Sequence, residues 1–166
     1  MRNISIIVAV ANNGAIGYNG GLLTHIKGDL PRFKSLTLNK TIVMGRKTFD
    51  SLPNGALKDR RNIVISRDLN LKLDGCEVIH SISELSNIID INEEIFIIGG
   101  SEIYSLFFPF ANKIHITRIY KDFDYADTYF KEFNSELYSN FNIESYDENI
   151  DNTFKCQFVT MIRKRI

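Results

Sequence analysis

Cysteine occurs only twice, at Cys76 and Cys156, far apart and without a C-x-x-C spacing. That excludes a disulfide framework and leaves two free, buried thiols as the expectation. The three histidines, His25, His80 and His115, share no ligand spacing with one another or with the cysteines, so no metal site is expected. No apolar run reaches membrane-spanning length, and the first residues lack the long apolar stretch and small-residue cleavage site of a signal peptide. A soluble, cytoplasmic protein with no membrane partner is expected. Neither sign of charge is in excess, with 20 Lys and Arg against 20 Asp and Glu, which argues against a nucleic-acid binder. The basic tail Arg163-Lys164-Arg165 then reads as a solvated end. G-x-G-x-x-G, G-x-S-x-G and P-loop motifs are absent, as are repeats, low-complexity tracts and linkers. With 166 residues, the chain is expected to form a single domain over residues 1–166.

What is present alternates between strand-like and helix-like segments. Ile4–Ala11 is a continuous apolar run, the pattern of a strand covered on both faces. Asn12–Lys27 reads as a long loop carrying Gly14, Gly17, Gly20 and Gly21, of a length that is usually functional. Asp29–Asn39 reads as a helix with Leu30, Phe33, Lys34 and Leu36–Leu38 at helical spacing and Pro31 in its first turn. Thr41–Met44 is a strand, followed by a short helix from Arg46 to about Leu52 and a turn at Pro53-Asn54-Gly55. Strands follow at Asn62–Ser66 and Glu77–His80, then a helix over Ser83–Asp90 with Ser83 as its N-cap.

Glu94–Ile98 is the most apolar strand and leads through Gly99-Gly100 into a helix near Glu102–Phe108, stopped by Pro109. Lys113–Tyr120 is a strand and Phe123–Phe133 an irregular aromatic loop. Phe141–Asp147 and Thr153–Arg163 alternate with a period of two, the second with Phe154, Cys156, Phe158, Thr160 and Ile162 on one side. With Glu148–Asn152 between them they read as an antiparallel hairpin. Together these segments predict an α/β fold, a mostly parallel sheet with an antiparallel edge.

Two junctions point to chemistry. Thr41–Thr48 and Glu94–Glu102 each run an apolar strand into glycine and then a helix, which leaves backbone N–H groups free for phosphate. Two such junctions, one bearing Arg46, Lys47 and Thr48, point to a dinucleotide held from two sides. Gly99-Gly100 can also be a plain turn, but Tyr104, one helical turn on, is placed to overhang a ligand there. Asp29 is either a helix cap or a carboxylate at the mouth of an apolar cleft, gripping a planar amidine-like edge and delivering a proton. Arg60-Arg61 is either a surface charge pair or a guanidinium fork for a substrate carboxylate. Arg67 is a candidate for an additional phosphate.

In this order and spacing the chain resembles the dihydrofolate reductase family from Ile4 to Arg163. The resemblance is carried by Ala15-Ile16-Gly17, Asp29-Leu30 with Phe33-Lys34, Thr41–Leu52, Arg60–Ser66, Ile97–Tyr104, Ile116-Thr117 and Asp127–Phe130. It implies an eight-stranded central sheet flanked by about four helices, NADPH as hydride donor and 7,8-dihydrofolate as acceptor. Asp29 would bind the 2-amino and ring N–H edge of the pterin and promote protonation at N5, supported by Thr117, with Tyr104 completing the catalytic set. Val8, Leu30, Phe33, Lys34, Ser51, Leu52, Leu57 and Ile98 would line the substrate site, and Arg60 would hold its glutamate α-carboxylate. Ala9, Ile16, Gly17 and Leu22 would face the nicotinamide. Gly45, Arg46, Lys47 and Thr48, with Gly99, Gly100, Ser101 and Glu102, would cradle the pyrophosphate. Ser66, Arg67 and His80 would meet the adenosine end, with Arg46 and Arg67 favouring the 2′-phosphate, and Thr128 would complete the cofactor set.

The resemblance further implies a monomer acting on a small-molecule substrate. The chain departs from the family pattern in the first loop. Many members carry a tryptophan there, whereas this sequence has Leu23-Thr24 and no tryptophan at all. Thr24 keeps a hydroxyl able to hold a water but loses aromatic area. Two other readings share the nucleotide features: a pyrimidine reductase of riboflavin synthesis, and a non-catalytic nucleotide-binding module.

Overall fold

The computed structural model describes residues 3–131, 134–146 and 154–164. In chain order the elements are β1 (Asn3–Ala11), β2 (Ala15–Gly17), α1 (Asp29–Thr37), β3 (Thr41–Gly45), α2 (Arg46–Asp50), β4 (Arg61–Ile65) and β5 (Cys76–Ile79). They continue with α3 (Ile82–Ile88), β6 (Glu94–Gly99), α4 (Ser101–Phe107), β7 (Lys113–Ile119), β8 (Thr128–Tyr129), β9 (Tyr138–Tyr146) and β10 (Cys156–Arg163). Eight strands form one sheet in the order β5-β4-β3-β6-β1-β7-β10-β9. Neighbours from β5 through β7 pair in parallel, and β10 pairs antiparallel with both β7 and β9. This is the mostly parallel sheet with antiparallel C-terminal strands that the sequence predicts, and four α-helices flank it among the described residues. No helix there is long and apolar enough to cross a membrane.

The continuous apolar strands are covered on both faces. Ile6, Val43, Ile95 and Ile114 pack with Ile103, Tyr104 and Phe107 of α4 on one face. On the other, Ile7, Ile42, Met44 and Val64 pack with Phe33 and Leu36 of α1 and Phe49 of α2. A third cluster, with Ala11, Ile26, Phe123 and Phe158, lies under the first loop. Parallel pairing sends the C-terminal ends of β1, β3, β6 and β7 to one edge of the sheet, and both glycine junctions lie there.

Several boundaries differ from expectation for identifiable reasons. The cap of α3 is Ser81, not Ser83: Ser81 is extended and its hydroxyl accepts the Glu84 N–H. Its Oγ also lies 2.8 Å from the Ser83 hydroxyl and donates to Glu84 Oε1, so the helix begins one residue earlier. The 12–27 and 123–131 segments are not wholly irregular, because β2 and β8 pair with each other as a small antiparallel ladder. β9 begins at Tyr138, before the expected Phe141, and as the edge strand leaves Phe141 and Ile143 exposed. In β10 Cys156 and Phe158 are buried as expected, but so are Val159 and Met161 on the opposite face, since β10 is an interior strand. Both cysteines are free; Cys156 is buried, whereas Cys76 is only half-buried. The expected turn at Glu148–Asn152, with Asp147, Thr153, Phe133 and Arg165, lies outside the described residues.

Candidate active site

Asp29 is not the cap of its helix. Gly28 occupies the N-cap with φ 86° and no side-chain capping bond, a conformation that suits glycine. Asp29, the first helical residue, is therefore free to turn inward. Its Oδ1 accepts the Thr117 hydroxyl of β7 at 2.5 Å, and Thr117 itself is 1% exposed. Burial pushes the Asp29 carboxyl above the usual carboxylate range. The Thr117 hydrogen bond and the charges of Arg32 and His25 pull it back without cancelling the rise. A carboxyl group in that position can keep a proton at a pH where surface carboxylates have lost theirs.

Tyr104 stands against the glycine turn, its hydroxyl 3.3 Å from where a Cβ on Gly99 would be. Its ring is buried in α4, edge-on to Phe130 at 5.3 Å, and its hydroxyl donates to the Ile7 carbonyl at 2.8 Å. Burial and then the nearby Asp29 charge drive its ionisation far upward, so it serves as a fixed donor. That hydrogen bond ties α4 to β1 at a carbonyl that sequence reasoning did not name. Val8 lies on the α4 side of the sheet with Tyr104, whereas Phe33 lies on the other.

Phe33, Leu52, Leu57 and Ile98 are half-buried and share one cluster with Ile7 and Met44. Beside them on α1, Leu30 is 50% exposed, an apolar side chain left uncovered next to Asp29. Lys34 and Ser51 are exposed. Arg60 lies toward the other end of α1, where its Nη1 donates to Thr37 Oγ1 at 3.2 Å and its Nε to the Lys58 carbonyl at 3.0 Å. It lines a polar cavity of about 540 Å³ at the N-terminal ends of β3, β4 and β6, remote from the glycine junctions.

The two junctions meet. Met44 of β3 pairs with Gly99 of β6, and Gly45 and Gly100 are the N-caps of α2 and α4, neither offering a side-chain cap. Gly99 has φ 126°, and the Gly99–Gly100 peptide is cis. A Cβ on Gly99 would stand 3.3 Å from both Thr48 Oγ1 and the Tyr104 hydroxyl; one on Gly45 would stand 3.0 Å from Ile103. Three glycines thus line a cradle where an added side chain on Gly45 or Gly99 would be crowded by Ile103, Thr48 or Tyr104, with no side chain capping the backbone N–H groups. Such a cradle fits a pyrophosphate. Arg46, Lys47 and Glu102 are exposed around it, with Arg46 bonded to Asp50 at 2.5 Å. Ser101 donates its hydroxyl to the Tyr129 carbonyl at 2.7 Å.

Beyond the cradle, Ser66 accepts the Asp68 N–H on its hydroxyl and the His80 ring lies 2.9 Å from its carbonyl. Arg67 is almost wholly exposed, 3.9 Å from the Glu102 carboxylate. On the other side, Ala9 pairs with Thr117 in the sheet, and Ile16 packs on the α4-side core. Gly17 is buried opposite Thr128, and Leu22 is 64% exposed. Asp127 ties this loop down: its N–H donates to the Gly17 carbonyl and its Oδ2 accepts the Asn19 N–H at 2.8 Å. Asp127 and Arg32 carried no assignment from sequence. The adjoining Asp127–Phe130 segment was the available signal for the first; nothing marked the second.

The dihydrofolate reductase family model matches residues 3–163. The chain is 35% identical over 162 residues to dihydrofolate reductase type 3 of Salmonella typhimurium, covering 98% of this chain and 99% of that protein. It is 33% identical over 161 residues to the dihydrofolate reductase of Bacillus subtilis, covering 97% and 95%. Among solved structures, a dihydrofolate reductase from Enterococcus faecalis complexed with NADP(H) and RAB-propyl superposes with a TM-score of 0.89. That pair is 27% identical, with 98% of this chain and 97% of the other covered. The chain belongs to the dihydrofolate reductase family.

Proposed function

We propose that Asp29 is the proton-handling group in an NADPH-dependent reduction of 7,8-dihydrofolate to 5,6,7,8-tetrahydrofolate, a product that supplies one-carbon metabolism. Bound NADPH supplies the hydride, received at C6 of the pterin. The reading rests on one observation: a half-buried carboxyl of raised proton affinity, fixed by Thr117, stands at the edge of an incompletely covered apolar cluster. Asp29 accepts the 2-amino and ring N–H groups of the substrate and promotes protonation at N5. Thr117 holds the carboxyl in the plane it needs. Phe33, Leu52, Leu57 and the uncovered Leu30 bind the rings, and Arg60 takes the carboxylate of the tail.

Gly45, Gly99, Gly100 and Thr48 hold the pyrophosphate. Ser66, His80, Arg46 and Arg67 hold the phosphorylated adenosine end. Ala9, Ile16 and Gly17 border the nicotinamide, and the 12–27 loop excludes water from the paired rings. The chain works as one monomeric, cytoplasmic domain.

Purified protein mixed with NADPH and dihydrofolate is expected to lose nicotinamide absorbance. Asp29→Asn should lower the rate at neutral pH by about 10²- to 10⁴-fold, the usual worth of a positioned acid, while NADPH binding persists. Wild-type turnover by that variant across the pH range would refute the assignment. Turnover of a pyrimidine substrate in place of dihydrofolate would select the related reductase reading instead.

A further inference from the structure

Arg32 carried no assignment from sequence, yet it sits one turn after Asp29 on α1. Its guanidinium carbon stands 5.0 Å from the centroid of the Phe158 ring, and its Nη2 is 3.5 Å from Thr160 Oγ1. Thr160 Oγ1 in turn lies 3.1 Å from Nδ1 of His115, which burial lowers to a pKa of about 4 and so keeps neutral. Phe158 is the register partner of Thr117, the residue that holds Asp29. The same ring lies 3.5 Å from where a Cβ on Gly28 would be. Gly28 and the Arg32 guanidinium therefore both rest on one aromatic ring, and Asp29 lies between them in the chain.

We propose that Arg32 is a positioning residue for the reaction: its guanidinium, seated on Phe158 and Thr160, sets how readily the Asp29 carboxyl releases its proton. A fixed cation beside a carboxyl group favours the ionised form. Guanidinium does not titrate in the working range, so its influence is constant with pH. The other titratable groups facing Asp29 are His25 in the first loop, Tyr104 on α4 and Cys156 on β10. Burial holds Tyr104 and Cys156 in their neutral forms, and His25 is solvent-exposed, where its charge is screened. Arg32 is the half-buried cation of the set. It keeps the acid from holding its proton too tightly to give it up.

The inference rests on Asp29 as proton donor, and the test separates the two. Full-length protein labelled with ¹³C at the aspartate carboxyl is titrated by NMR as wild type, Arg32→Met and Arg32→Lys, with the Asp29 signal identified from Asp29→Asn. The Arg32→Met midpoint should rise by about half a pH unit or more, as loss of one nearby charge implies, and Arg32→Lys should restore most of it. The high-pH limb of turnover should move with it. An unchanged midpoint in folded Arg32→Met overturns the inference. A midpoint that moves while the turnover limb stays in place overturns the Asp29 assignment, and with it any role of Arg32 in the reaction. If Arg32→Met does not fold, Thr160→Val removes the hydroxyl seat and leaves the charge. A smaller upward shift is then expected, and no shift overturns the inference.

Discussion

Replacing Thr117 with valine removes one buried hydroxyl and keeps the branched shape that β7 requires. The lost contact is the 2.5 Å hydrogen bond to Asp29 Oδ1. A hydrogen bond to a charged partner contributes about 1.5–3 kcal/mol, one between neutral groups about 0.5–1.5 kcal/mol. The variant should therefore lose about 2 kcal/mol of stability where Asp29 is ionised and roughly half that where it is protonated. The linkage has a definite sign. Asp29 is raised in the folded state, so its contribution is fully present below the unfolded carboxylate range and is lost as pH rises through the folded value. Removing a hydrogen bond that lowers it raises the carboxyl further, so the variant's stability should fall more steeply with rising pH. Denaturant unfolding at pH 4 and pH 8, with slopes compared to confirm two-state behaviour, measures both costs. The high-pH limb of turnover should shift upward in parallel. In an Asp29→Asn background the pH dependence of the Thr117→Val cost should vanish. An equal cost at both pH values in the wild-type background would refute the coupling.

Gly99→Ala places a Cβ at φ 126°, 3.3 Å from Thr48 Oγ1 and the Tyr104 hydroxyl. About 1–3 kcal/mol of backbone strain should appear as a lowered thermal midpoint, and NADPH affinity measured by fluorescence titration should drop. Tyr104→Phe strips the donor from the buried Ile7 carbonyl. It should cost about 1–3 kcal/mol in chemical denaturation without moving the pH limb, because the tyrosine hydroxyl stays protonated throughout. Asp29→Asn should be more stable than wild type at pH 8, by about 1 kcal/mol, since a neutral amide escapes the burial penalty. That advantage should close on acidification, as wild-type Asp29 protonates, and a constant advantage down to pH 3 would contradict the raised carboxyl.

The sheet was legible because its central strands are continuous apolar runs, two of which, β3 and β6, end in glycine. The same continuity hid which face each side chain takes. Without polar alternation, Val8 could not be assigned to the α4 side, and only packing against Tyr104 decides it. β2 and β8 escaped notice because a few residues each pair only across a long stretch of chain. At α3 the expected cap, Ser83, gives way to Ser81, which stands three residues before Glu84 and accepts its N–H. Asp29 stood open between cap and acid because its sequence position suits both. Gly28 settles the cap alone, which it takes in a left-handed conformation. Arg32 left no trace in the sequence, since its meaning depends on Phe158 and Thr160, which lie over a hundred residues away.

The site divides into a half that is built in and a half that is fastened on. Asp29, Thr117, Phe158 and the three glycines belong to helix starts and interior strands packed on both faces, where opening requires breaking the core. The 12–27 loop, which lacks the family's usual tryptophan, is held by a different set of contacts. Tyr18 meets Tyr125 edge-on at 5.1 Å, the Tyr125 hydroxyl donates to the Leu23 carbonyl at 3.3 Å, and Asp127 binds Asn19 and Gly17. Most of these groups are exposed, where polar contacts compete with water and contribute little each. The Tyr18–Leu23 part of the cover is fastened that way, whereas at its far end the Ile26 carbonyl accepts the Asp29 N–H at 3.1 Å. Under the proposed function both properties are used: a carboxyl group whose proton affinity is fixed before substrate arrives, and a loop that admits the substrate and then shuts out water. Strengthening the latch, by contrast, would act on entry and release and leave the acid untouched, because no residue of the latch touches Asp29 or Thr117 among the hydrogen bonds of the described residues.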